Sequence, residues 1–179
     1  MIKGRLSFIL AACVTLFAVT ATGAERTTGQ TVDDTTLGVT TKYELANNPD
    51  THARDLNVEV YKGTVQLSGF LHNDKQKQAA LETARKVDGV KDVKDAIIVS
   101  GAHRSVGHYI DDQTVQGKLK LKLADLTDLD TNVAVASHVR NGEVLLAGFV
   151  DNAGARDEVV GAAKGIDGVS KVHNKILLR

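Results

Sequence analysis

Val65-Gln66-Leu67-Ser68-Gly69-Phe70 and Val144-Leu145-Leu146-Ala147-Gly148-Phe149 are one hexapeptide pattern written twice, 79 positions apart. Two further glycine pairs keep that offset, Gly63 with Gly142 and Gly89 with Gly168. The stretch Val87–Val99 (VDGVKDVKDAIIV) returns as Ile166–Leu178 (IDGVSKVHNKILL). Upstream, Asp33-Asp34 after Val32 is matched by Asp111-Asp112 after Ile110, at an offset of 78, so the second copy carries one extra residue between its first helix and first strand. Solenoid units usually run about 20–50 residues. A longer repeat is a small domain with a core of its own, and the chain reads as two such domains in tandem.

Within each copy the hydrophobic period changes three times. Asp33 or Asp34 is placed to cap a first helix containing Leu37, Tyr43 and Leu45, and acidic residues suit the positive end of its dipole. Asn48-Pro49 stops that helix, because proline disfavours helical geometry in the residue before it. Leu56, Val58 and Val60 then alternate, Lys62-Gly63 makes a hairpin turn, and Val65 and Leu67 continue the alternation on the way back. Asn73 or Asp74 caps a second helix whose Ala80, Leu81, Ala84 and Val87 share one face, and a strand through Val93, Ile97 and Val99 closes the unit. The second copy repeats the order: a helix from about Asp112, strands over 133–139 and 143–146, a helix over 153–164 and a strand over 172–178. The expected architecture is α+β, αββαβ twice, with two helices on a small mixed sheet in each unit.

The first residues read differently. Lys3 and Arg5 precede an uncharged apolar run from Leu6 to Val19, and Ala21-Thr22-Gly23-Ala24 offers small residues for cleavage, so 1–24 is expected to be a signal peptide. The run is short for a membrane span. Residues 25–31 form a polar, disordered lead-in, 32–99 the first domain, 100–109 the linker and 110–179 the second domain. Cys13, the single cysteine, lies in the leader. Cleavage after Ala24 leaves no thiol, whereas Leu10-Ala11-Ala12-Cys13 resembles a lipobox in which Cys13 becomes a lipidated first residue.

Charge and composition narrow the function classes. Lysine plus arginine and aspartate plus glutamate both number 22, and aromatics make up 4% with no Trp. Neither a basic surplus nor a set of stacking aromatics marks the chain as a nucleic-acid binder. The six histidines show no i, i+4 helical pair and no cysteine partner, so no metal site is expected. Ser68 lacks the G-x-S-x-G elbow and its counterpart is Ala147, so no nucleophile is assigned. No cofactor, small-molecule substrate or catalytic residue is expected.

The ordered set of Asp pair, alternating strand, Lys62-Gly63 or Asn141-Gly142, V-x-L-x-G, Ala-rich helix, Asp-Gly-Val and closing strand resembles the BON domain over nearly all of residues 31–179. Two copies behind a leader look like the dual-BON envelope proteins of Gram-negative bacteria. That resemblance implies a periplasmic protein, or a lipoprotein of the outer membrane facing the periplasm. It further implies either binding to anionic phospholipid or chaperone-like binding of unfolded envelope proteins under osmotic stress. Asp95 departs from the pattern, standing where the second copy has Asn174.

One segment carries the lipid expectation. If Val115–Leu123 is helical, Val115, Leu119, Leu123 and Leu126 bury one face, and Leu121 points outward among Lys118, Lys120 and Lys122. An outward Leu among lysines suits an anionic membrane surface. The alternative readings of the same residues are a solvated helix with one exposed leucine, or, from the strict alternation, a strand, against which the position in the repeat argues for helix.

Overall fold

The computed structural model describes residues 28–101, 106–127 and 134–179. The leader and Cys13 lie outside them. Each repeat runs helix, two strands, helix, strand: α1 (Thr28–Asn47), β1 (Leu56–Tyr61), β2 (Thr64–Leu71), α2 (Asp74–Arg85) and β3 (Asp92–Val99), then α3 (Val106–Thr127), β4 (Ala134–Arg140), β5 (Glu143–Val150), α4 (Ala153–Lys164) and β6 (Lys171–Leu178). Both sheets have the same topology. The hairpin strands pair antiparallel and the closing strand adds parallel to the second of them, in the orders β1-β2-β3 and β4-β5-β6. This is the α+β, twice-repeated αββαβ arrangement expected above.

Local sequence explains most of the boundaries. Asn73 and Asn152 cap α2 and α4, each side-chain oxygen accepting from the backbone N–H three residues on. Asn48 and Pro49 end α1, and two 3-10 turns (Pro49–Thr51 and Ala53–Asp55) follow. Lys62 and Gly63, like Asn141 and Gly142, all take positive φ, the conformation of the tight two-residue turn whose twist matches the strands. In the closing strands Asp95 and Asn174 do the same job, each accepting from the N–H two residues on (Ile97 and Ile176). The aspartate adds an ion pair to Lys77 at 2.6 Å.

The structure corrects the role given to the paired aspartates. Asp33 or Asp34 was expected to cap the first helix, yet α1 starts at Thr28, inside the 25–31 stretch. Likewise α3 starts at Val106, inside the 100–109 stretch and well before Asp112. The second aspartate of each pair lies within its helix, buried, and its carboxylate is taken by a turn 28 to 30 residues away. Lys62 and Gly63 donate their N–H groups to Asp34 at 2.7 and 2.9 Å, and Asn141 and Gly142 donate to Asp112 at 2.8 and 2.9 Å. A carboxylate spent on the hairpin is not available to the helix end. The motif recurs because it pins the helix to its own sheet.

Glycine recurs at Gly69 and Gly148 for a different reason. Both sit inside strands, at positive φ (147° and 133°). A Cβ on Gly69 would lie 2.0 Å from the Asp55 carbonyl oxygen, so the reason for glycine is close backbone approach.

Each repeat has its own core on the helix side of its sheet. In the first, Val65, Leu67 and Leu71 of β2 meet Leu37, Leu45, Leu81 and Ala84; in the second, Val144, Leu146 and Val150 of β5 meet Val115, Leu119, Val159 and Ala163. Burying each of the larger side chains stabilises by roughly 1.5–3 kcal/mol. Yet β2 and β5 are buried on both faces. Their other faces meet each other, which stacks the molecule as helices, sheet, sheet, helices. Gln66 is the central link: it accepts from Gly148 N–H at 2.6 Å and donates to the Lys175 carbonyl at 2.6 Å. Around it, Tyr61 packs on Phe149 with ring centroids 5.5 Å apart, and Arg140 donates to the Phe70 carbonyl at 3.4 Å. Tyr61 and Arg140 are repeat equivalents, as are Phe70 and Phe149, so the two contacts are one contact related by an approximate two-fold.

Candidate functional site

The packing leaves α1 and α3 on the two outer surfaces. On α3, Val115, Leu119 and Leu123 are 3%, 0% and 9% exposed, the inward stripe that the i, i+4 spacing requires. Leu121 is 71% exposed on the opposite side, and Lys118, Lys120 and Lys122 are all exposed. At about 100° per residue, Ile110 lies within roughly 20° of Leu121 on the helix wheel and about 16 Å away along the axis. Ile110 is 61% exposed, and Tyr109 beside it is 51% exposed. Gly117 falls between them on the same outward line, with open space where a Cβ would be. The outer face of α3 is therefore an apolar line that the sequence reading saw only at Leu121.

The lysines divide around that line. By the same geometry Lys118 and Lys122 lie on one flank and Lys120 on the other. Lys120 also lines an open groove of about 560 Å³ between α3 and β4, together with Gln116, Leu123, Val135, Ala136 and His138. Asp111 and Asp125, both exposed, stand towards the two ends of the helix, so the positive charge is concentrated in its middle.

The same line exists on α1, where Val32, Val39 and Tyr43 are 60%, 67% and 63% exposed at the positions equivalent to Ile110, Gly117 and Leu121. Its flanks differ. Thr40, Lys42 and Glu44 replace Lys118, Lys120 and Lys122, a formal charge of 0 + 1 − 1 = 0 against +3.

Among the described residues no group of three or more His, Cys, Asp or Glu could hold a metal ion, and no helix is long and apolar enough to cross a membrane. His173 contacts Glu143 at 2.6 Å, and His72 lies 3.4 Å from Arg140. The structure brings Ser68 and His138 together, Oγ to Nε2 at 3.5 Å, a pair the sequence reading did not foresee. Burial lowers the His138 pKa below its ordinary value, an effect that Lys42 reinforces and Asp55 opposes. Ser68 is fully buried between the two sheets, where no substrate reaches it. The contact is long for a hydrogen bond and belongs to the joint between repeats.

A family model for the BON domain matches residues 33–101 and again 111–179. The chain is 30% identical over 153 residues to Osmotically-inducible protein Y of Escherichia coli (strain K12), a match spanning 83% of this chain and 74% of that protein. It is 34% identical over 77 residues to Outer membrane lipoprotein DolP of Haemophilus influenzae, covering 41% of this chain and 38% of that protein.

Proposed function

The chain belongs to the BON-domain family, and from that premise we propose that it is a non-enzymatic, exported envelope protein whose second repeat binds anionic phospholipid surfaces. The observation that carries this reading is the outer face of α3: exposed Leu121 and Ile110 on one line, with Lys118, Lys120 and Lys122 around Leu121. Lysines supply attraction to anionic headgroups, and the apolar side chains dip into the headgroup boundary. Similarity to a protein named as an outer membrane lipoprotein supports an envelope setting, and the lipobox-like Cys13 supports a lipid anchor as the alternative to leader cleavage after Ala24. Mass spectrometry of the mature N-terminus separates the two.

Each lysine near a negatively charged leaflet contributes about 1 kcal/mol. Replacing Lys118, Lys120 and Lys122 together with Gln is expected to cost up to about 3 kcal/mol, roughly a hundredfold in apparent affinity. Leu121→Ser is expected to weaken binding with a smaller salt dependence, since it removes insertion and leaves charge intact. Co-sedimentation with phosphatidylglycerol or cardiolipin vesicles, against zwitterionic ones, reads both effects. Equal binding by the triple Gln variant and the parent rejects the membrane reading.

A second reading has its own support. A match over 153 residues is to a protein named as osmotically inducible, and α1 offers Val32, Val39 and Tyr43 without the lysines of α3. On that reading the protein is a soluble periplasmic osmotic-stress chaperone for unfolded envelope proteins. Suppression of client aggregation by a chain that ignores anionic vesicles would select it.

A further inference from the structure

The outer edge of β4, with which no other strand pairs among the described residues, offers a surface that does not depend on the membrane reading. The two-residue turn at Asn141-Gly142 closes on the Arg140–Glu143 pair, which in such a hairpin exchanges hydrogen bonds. Arg140, His138 and Ala136 thus turn their backbone groups towards β5, while Val135 and Ser137 turn theirs away from it. Since β4 is an outer strand of its sheet, away from β5 means towards the edge. Gln116 of α3 shows the same sense, because its Nε2 donates to the Ser137 carbonyl at 3.3 Å and to its Oγ at 2.9 Å. The groove of about 560 Å³ borders this edge. Leu123 and Val135 line it on the helix side, Ala136 and His138 on the opposite face of β4, and Asn57 of the first repeat completes it beside exposed Lys120.

We propose that this groove takes an extended polypeptide segment of another protein, bearing an acidic residue, which pairs with the edge of β4 as a fourth strand. Backbone recognition fits the wall of the groove better than an alkyl chain does. A hydrocarbon would cover the outward N–H groups of Val135 and Ser137 without replacing their bonds to water, whereas an extended peptide replaces them. Its side chains alternate between the two faces of the sheet. Successive residues then meet the Leu123–Val135 side and the Ala136–His138 side in turn. Lys120 selects a carboxylate among them, and the Gln116 amide holds the place of the incoming N–H until it arrives.

The test uses the full chain and a fluorescein-labelled, end-blocked heptapeptide alternating valine and glutamate. Anisotropy is expected to show saturable binding. The same peptide N-methylated at every amide, keeping its side chains but losing its donors on both edges, is expected to bind about tenfold more weakly or worse. Amide exchange at Val135 and Ser137 is expected to slow in the complex. Val135→Pro removes an outward donor at an edge position where proline is tolerated, and is expected to weaken binding by a similar factor. Lys120→Glu is expected to reverse the preference from the valine–glutamate peptide to a valine–lysine one. Equal binding of the methylated peptide, or perturbations that map away from β4, overturns the proposal. So does displacement by dodecyl phosphate that perturbs Leu123 and Ala136 without any slowed exchange in the peptide complex, which would make the groove an alkyl-chain site. Should Val135→Pro not fold, the methylated peptide on the parent chain decides alone.

Discussion

Replacing Asp112 with Ala removes the acceptor for two N–H groups at once, and the consequence can be worked from distances. The carboxylate is 1% exposed and accepts from Asn141 at 2.8 Å and Gly142 at 2.9 Å. A hydrogen bond to a charged group contributes about 1.5–3 kcal/mol net. The turn is only part-buried, so its freed N–H groups recover some solvation, which sets the expectation near the lower bound: about 3 kcal/mol for Asp112→Ala. Asp112→Asn should lose about half of that, since the amide keeps one acceptor and turns an NH₂ against the other donor. For a chain of this size 3 kcal/mol corresponds to roughly 6–12 °C in Tm. Urea unfolding followed by circular dichroism measures the difference, with Asp111→Ala as the control. Asp111 is exposed, and its loss is expected to stay within about 0.5 kcal/mol. The same contrast is expected between Asp34 and Asp33. If Asp112→Ala and Asp111→Ala prove equally mild, the clamp does not hold helix to hairpin and the recurrence of the Asp pair needs another cause.

Two further outcomes follow from buried polar groups. Thr41 is fully buried, its hydroxyl has no hydrogen-bond partner among the described residues, and its repeat equivalent is Leu119. Thr41→Val is therefore expected to stabilise by about 1 kcal/mol in urea unfolding, and a loss of stability would show that the hydroxyl is satisfied after all. His138 has a folded pKa below its ordinary value of 6.5, so the unfolded chain takes up the proton first. Stability from this group is complete above about pH 6.5 and declines as the pH falls below it, by at most about 1.4 kcal/mol per unit. His138→Gln should lose less stability than the parent between pH 7.5 and 5.5, and parallel pH profiles would contradict the assignment.

What the sequence disclosed and what it withheld divide along the range of the interactions. Hairpins, caps and helix faces depend on neighbours a few residues apart, and Asn141-Gly142, Asn73 and the Val115–Leu119–Leu123 spacing announced them correctly. Leu121 was legible as outward for the same reason, and Ile110 could have been, since it lies three turns back on the same line. Asp34 and Asp112 were misread because a cap is the nearest use for an aspartate before an apolar helix, whereas their true partners lie 28 to 30 residues on. The joint between the sheets left a fainter mark. Val65–Leu71 and Val144–Val150 carry no charge on either face, and a strand in a two-layer unit would show charged residues at alternate positions. Gln66 and Ser68 gave no hint of what they meet, because their partners Gly148, Lys175 and His138 belong to the other repeat. The groove beside β4 was invisible for the same reason: three elements from two repeats build it.

Duplication explains why one outer helix can specialise while the fold stays fixed. The internal joint takes the sheet faces out of contact with solvent, so the surfaces free to change are those of the helices, α1 and α3 among them. Both keep what the fold demands, the aspartate clamp and an inward stripe at equivalent positions. Both also keep an outward apolar line, although nothing in the core requires one. The difference lies in the flanks, where Thr40 and Glu44 in one copy stand as Lys118 and Lys122 in the other. Lys42 and Lys120 are common to the two, so the change in charge comes from two substitutions on the same flank of each line. If apolar exposure alone directed these helices, both would meet the same partner. Because charge and the apolar residues themselves both differ, Thr40→Lys with Glu44→Lys isolates the charge inside the same molecule, and a ligand that then takes α1 as well as α3 is choosing lysines.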